Sequence, residues 1–198
     1  MRNPIFILFL IILYATPAIA QDGFYQKLAE NALVLTEDKV VYDPSYFAIP
    51  YPNGDVPSGK GVCTDVIIRA YRKMDIDLQK QVHEDMRSNF DNYPKIWGLK
   101  RPDTNIDHRR VPNLMVFFER FGETLPITRE GKEYKAGDIV CWNLGGAVTH
   151  IGIVSPKKSH DGKRPLMVHN IGSGQVLQDC LFDYKIIGHY RYNNGLSP

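Results

Sequence analysis

Cys63, His150 and His169 are the side chains whose type and setting best suit covalent or acid–base chemistry. Cys63 follows Gly59-Lys60-Gly61 and heads a stretch with helical spacing. A thiol attacks as its thiolate, whose pKa falls beside a helix N-terminus or an imidazolium. Glycines just ahead of it let a substrate backbone come close. Such a thiol needs a base, commonly an imidazole held by a third polar group. His150 and His169 lie in runs with strand character, THIGIV and LMVHN. Side chains alternate along a strand, so His150, Gly152 and Val154 share one face and Ile151 and Ile153 the other. His169 falls on the face opposite Val168 and Asn170. Two histidines on neighbouring strands can meet through their ring nitrogens. One would take the thiol proton, and the other would accept the first ring's N–H.

These residues need helices and a sheet to position them. Residues 23–36 predict an amphipathic helix through Leu28, Ala32 and Leu35. Pro, Gly, Asn and Asp crowd residues 43–60, which predicts an irregular loop. The next helix is expected over 61–74. Val62, Val66, Ala70 and Met74 form one four-residue row there, and Cys63, Ile67 and Tyr71 the adjacent one. Both rows place Cys63 on the buried side. A helix over 77–90 opens at Asp77 and repeats Leu78, Val82, Met86 and Phe90. A long loop, 91–111, precedes a short helix over 112–121 that starts at Pro112. The period then shifts to two. Strands are expected at IVCW after Gly137-Asp138, at 149–154, at 166–170 and at 185–192, with 175–181 pairing to the last. Helices first and strands afterwards argue for an α+β fold, its N-terminal helices packed on an antiparallel sheet.

In that order, GVCTDVIIRAY, GDIVCW, THIGIV and MVHNIG resemble the NlpC-type cell-wall cysteine peptidases of the papain-like superfamily. There a helix-borne Cys is followed by a Gly-Asp strand, a His-x-Gly-Ile strand and a strand ending in a third polar residue, often His. The resemblance implies a papain-like fold with Cys63 as nucleophile, His150 as base and His169 as orienting residue. It also implies a site tyrosine upstream of the cysteine, for which Tyr51 is the expected counterpart. It covers residues 51–74 and 137–170. The family's usual Asp-Cys-Ser-Gly is replaced by Val62-Cys63-Thr64-Asp65, the turn from Ser155 to Pro165 is longer, and residues 75–112 have no counterpart in simpler relatives. The chain as a whole is similar to an uncharacterised family of bacterial proteins of about this size.

The resemblance further implies hydrolysis of an amide bond in peptidoglycan stem peptides, with no cofactor. An acyltransferase or transglutaminase-like enzyme would use the same residues with an amine or alcohol in place of water. A non-catalytic cell-wall binding module is the third reading, and the intact Cys-His-His set argues against it. Zinc accepts cysteine and histidine ligands, but no C-x-x-C or H-x-x-x-H pair accompanies these three, so no metal is expected. The long loop ends in His108-Arg109-Arg110. These donors either fork onto a substrate carboxylate or pin the loop through salt bridges. Asp65, Trp142 and Asn170 complete the candidate substrate contacts.

The N-terminus has its own pattern. Met1-Arg2, the apolar run at 5–14 and Ala18-Ile19-Ala20 have the form of a signal peptide cleaved before Gln21. The run is short for a bilayer-spanning helix. A periplasmic or secreted chain is expected, with residues 21–198 forming one domain. Cleavage removes Arg2 alone among charged residues, leaving 23 basic and 22 acidic. That balance lacks the basic excess of a nucleic-acid binder. No later stretch is apolar enough for membrane insertion. Three cysteines leave at least one thiol free in an exported protein. One free thiol and one pair is the economical reading, with Cys141 and Cys180 either that pair or packed sheet residues.

Overall fold

The computed structural model describes residues 17–195. The apolar run of the expected leader lies outside the described residues. Helix α1, Pro17–Val34, runs into a 3-10 turn at Leu35–Glu37. Two short strands, β1 (Val41–Tyr42) and β2 (Lys60–Gly61), pair in parallel across the irregular loop. Helices α2 (Cys63–Arg72), α3 (Leu78–Asn89) and α4 (Val111–Phe121) follow. Asp77 caps α3 by accepting the Lys80 N–H at 3.0 Å. Strands β3 (Glu123–Thr124), β4 (Ile139–Gly145), β5 (Val148–Lys158), β6 (Pro165–His169), β7 (Val176–Gln178) and β8 (Lys185–Arg191) complete the chain. They form one antiparallel sheet in the order β3-β8-β4-β5-β6-β7. The fold is α+β, with helices packed on an antiparallel sheet.

Strand alternation divides the core in two. Ile139, Cys141, Ile151, Ile153 and Val168 meet Val66, Ile67, Ala70 and Tyr71 of α2 together with Leu28 and Ala32 of α1. Val140, Trp142, Val154 and Met167 project from the other face and are covered by Tyr134, Cys180 and Leu181. An isoleucine-to-alanine change at a fully buried position such as Ile151 costs about 2–5 kcal/mol.

One expected pairing is corrected. β7 pairs with β6, not with β8, and β8 lies between β3 and β4. The chain after β7 crosses one face of the sheet, where the Trp142 indole donates Nε1–H to the Leu181 carbonyl at 3.0 Å. Burying Leu181 against Trp142 and Val140 holds that crossing in place. Gly137 shows why a glycine precedes β4. It has φ +85°, and a Cβ there would lie 2.3 Å from the Tyr25 carbonyl oxygen of α1. Among the described residues, no helix is long and apolar enough to cross a membrane.

Candidate active site

The start of α2 is anchored on both sides. Val62 caps it in extended conformation, and the Asp65 carboxylate accepts the Val62 N–H at 2.7 Å. The same carboxylate takes a two-pronged bond from Arg109, 3.0 Å from Nε and 3.0 Å from Nη2. Thr64 donates its hydroxyl to the Arg109 carbonyl at 3.1 Å. Cys63 is therefore the first residue of a helix whose N-terminus is tied to the long loop.

β6 ends at His169, which leaves the edge of β5 around Ile151 without a strand beside it. The Ile151 backbone N–H on that edge favours the Cys63 thiolate, and the two residues belong to the same buried cluster. Burial pushes the Cys63 thiol up to about 12, opposed by the backbone N–H groups of Ile151, Thr64 and Cys63 itself. At neutral pH it is a thiol, held where backbone dipoles favour a thiolate once charge is demanded of it.

His150 and His169 meet as their strand positions suggest. Nε2 of His150 lies 2.9 Å from Nδ1 of His169, with the rings at 81°. The Trp142 ring stacks on His150 at 5.6 Å and 27°. Gly152 makes this possible, because a Cβ there would stand 3.0 Å from the Val168 carbonyl oxygen and 3.2 Å from both Trp142 and His169. Burial lowers His150 to about 3, and the neighbouring His169 adds to the shift. Burial also lowers His169, with Gln178 acting in the opposite direction. Both rings are neutral at neutral pH. No hydrogen bond joins Cys63 to His150 in this arrangement. Cys63 shares a buried cluster with Ile151, the residue next to His150, whereas the His150 ring stacks on Trp142 of the other face.

Cys63 opens onto a cleft of about 220 Å³ bounded by Tyr42, Trp97, Ile106, Arg110 and Thr149. A larger hollow of about 650 Å³, bounded by Tyr46, His83, Arg87 and Arg101, includes none of Cys63, His150 and His169. The tyrosine beside the thiol is Tyr42. Pairing of β1 with β2 sets it alongside Gly61, two residues ahead of Cys63. Burial raises its pKa, and the Cys63 charge adds to that. Tyr51, the expected counterpart, instead packs edge-on against His83 at 5.1 Å.

Other expected contacts are also reassigned. Arg109 is buried and spent on Asp65 and on the Ser45 carbonyl at 3.1 Å, so neither Arg109 nor Asp65 is free for substrate. His108 faces the interior, where burial first and then Arg109 lower it to about 3. Trp142 supports His150 from behind. Asn170 donates to the Gly61 carbonyl at 3.3 Å and accepts the Gly172 N–H at 3.1 Å, tying the end of β6 to β2. Arg109 and Arg110 both line the cleft, and Arg110 is the less buried, 4.2 Å from the Trp97 ring and 3.4 Å from Asp107. Cys141 and Cys180 form no disulfide, because they lie on opposite faces of the sheet, and all three cysteines are free.

The architecture is thus an α+β domain with a thiol at the first residue of a helix packed on the sheet that carries two paired imidazoles. The chain belongs to the family described as "Domain of unknown function (DUF1287)", which matches residues 29–192 and so includes Cys63, His150 and His169. It is 51% identical over 165 residues to the "Uncharacterized protein YijF" of Escherichia coli (strain K12), spanning 83% of this chain and 80% of that protein. No solved structure matches the chain.

Proposed function

We propose that this chain is an exported cysteine hydrolase of the papain-like, NlpC type that cleaves an amide bond in peptidoglycan stem peptides. The observation that carries the reading is the 2.9 Å contact of the His150–His169 pair, on the strand whose Ile151 backbone N–H favours the Cys63 thiolate. Nε2 of His150 is engaged by His169, and Nδ1 of His150 has no hydrogen-bond partner among the described residues. That nitrogen is the proton acceptor in this reading.

The reaction starts from a neutral pair. As substrate enters, the thiol turns to His150, a contact that commonly tightens only in the complex. Sulfur attacks the carbonyl carbon while its proton passes to Nδ1 of His150. The backbone N–H of Cys63, free of an intrahelical acceptor at the first turn, stabilises the oxyanion. His150 returns the proton to the leaving amine as the C–N bond breaks, leaving a thioester on Cys63. Water, deprotonated by His150, hydrolyses it and restores the thiol. Arg110 beside Trp97 offers a cation to a stem-peptide carboxylate. The leader pattern at residues 1–20 supports delivery to the periplasm or beyond.

Digestion of purified peptidoglycan, with mass spectrometry of the released fragments, tests the proposal. Soluble fragments carrying a new amine and a new carboxylate within or next to the stem peptide are expected. Intact sacculi after prolonged digestion with correctly folded protein would overturn it.

A further inference from the structure

We infer that Gln178 is a positioning residue that fixes the direction of the proton chain running from Cys63 through His150 to His169. The inference rests on the cysteine-hydrolase reading of that site. Each neutral imidazole carries a single N–H. One proton occupies the 2.9 Å contact between Nε2 of His150 and Nδ1 of His169, so two polarities exist. In one, His150 donates its Nε2–H, its Nδ1 is bare, and His169 carries its own proton on Nε2. In the other, His169 donates from Nδ1, and His150 carries its proton on Nδ1. Only the first leaves a base for the thiol.

The far nitrogen of His169 decides between them. Its Nε2 lies 3.2 Å from the Gln178 side-chain oxygen and 3.4 Å from the Cys180 sulfur. An amide oxygen only accepts, so it holds the proton on His169 Nε2 and selects the productive polarity. Cys180 pulls the other way. Burial pushes its thiol up to about 12, so it keeps an S–H that can donate to a bare Nε2. The register explains how a glutamine nine residues from His169 gets there. His169 pairs with Val176 and Met167 with Gln178, which puts Gln178 diagonally across β6 and β7 from His169 on the same face.

Long-range ¹H–¹⁵N correlation spectra of the protein labelled with ¹⁵N-histidine read the two tautomers directly at neutral pH. The expected result is Nε2–H on both His150 and His169, retained in Gln178→Glu, whose carboxylate also only accepts. Gln178→Leu should move His169 to Nδ1–H and lower kcat about 10- to 100-fold at unchanged KM and melting temperature. Adding Cys180→Ala to it should restore part of that loss by removing the competing donor. Nδ1–H on His169 in the wild type, or unchanged tautomers in Gln178→Leu, would overturn the role of Gln178. The spectra need no substrate. Expected tautomers in a protein that hydrolyses nothing would therefore uphold the polarity and sink the hydrolase reading alone.

Discussion

The sheet carries two buried histidine clusters, and they differ in one respect. Near the start of β4, Asp138 takes His189 Nε2 at 2.8 Å, Arg191 Nε at 2.6 Å and the Lys135 N–H at 2.9 Å. The other nitrogen of His189 meets the Pro126 carbonyl at 3.0 Å, and Tyr134 stacks on the ring at 4.3 Å. Both ring nitrogens of His189 and both carboxylate oxygens of Asp138 are engaged, and the cluster joins β8 to β4. The His150–His169 pair is also buried under an aromatic ring, yet one ring nitrogen of His150 has no hydrogen-bond partner among the described residues. Closed polar networks hold a fold together, whereas a network with one open, oriented valence can move a proton. Asp65–Arg109 against Arg110 repeats the contrast within one loop.

The largest effects should separate the two clusters by kind. His150→Ala should lower kcat about 10²–10⁴-fold with an unchanged melting temperature, and Cys63→Ser should abolish turnover. Asp138→Ala should do the reverse. Leaving Arg191 and His189 without their carboxylate should cost about 3–5 kcal/mol in urea unfolding, with kcat per folded molecule preserved. Loss of activity without loss of stability in Asp138→Ala would break the comparison.

The adjacent arginines sharpen it. Arg109→Ala strands a buried Asp65 and should lower stability by about 3 kcal/mol or more. Arg110→Ala should leave stability nearly unchanged and raise KM about 10- to 100-fold, the loss of a charge-assisted contact worth about 1.5–3 kcal/mol. Lysine at 110 should rescue only in part, since a point charge lacks the guanidinium fork. Unfolding curves and kcat/KM from the same samples decide both.

The smallest expected effect is acid sensitivity. Burial holds His150 and His108 neutral in the folded state, each lowered to about 3. The unfolded chain takes up those protons first, so it binds more protons than the native state and stability falls with falling pH. Each of these two histidines should contribute about 1 kcal/mol of loss between pH 6.5 and 5.5. His108→Gln should flatten that slope by its share, and an unchanged slope would show that His108 is protonated in the native protein.

The parts of this arrangement that sequence reveals are those encoded locally. The four-residue rows of 61–74 place Cys63 at a helix start, and the alternation in THIGIV and LMVHN turns both histidines to one face. Tyr42 and Gln178 escaped that reading because strands of two and three residues carry them, too short to show a period. Their positions follow from pairings with β2 and β6 that only the folded chain specifies. The misplaced partner of β7 has the same cause, since alternation names a strand's faces but not its neighbours. A run of charges leaves substrate contact and loop pinning equally open for Arg109, because it does not reveal that Asp65, 44 residues earlier, meets it inside the protein.

In the proposed reaction Cys63 forms a covalent bond to substrate with His150 as the proton carrier. Acid quenching of the wild-type protein during turnover of peptidoglycan fragments, followed by peptide mapping, measures that bond directly. A thioester adduct on the peptide containing Cys63, absent from Cys63→Ser and slowed in forming in His150→Ala, is the predicted result. Turnover at the wild-type rate by Cys63→Ser, with no adduct on either protein, would contradict it.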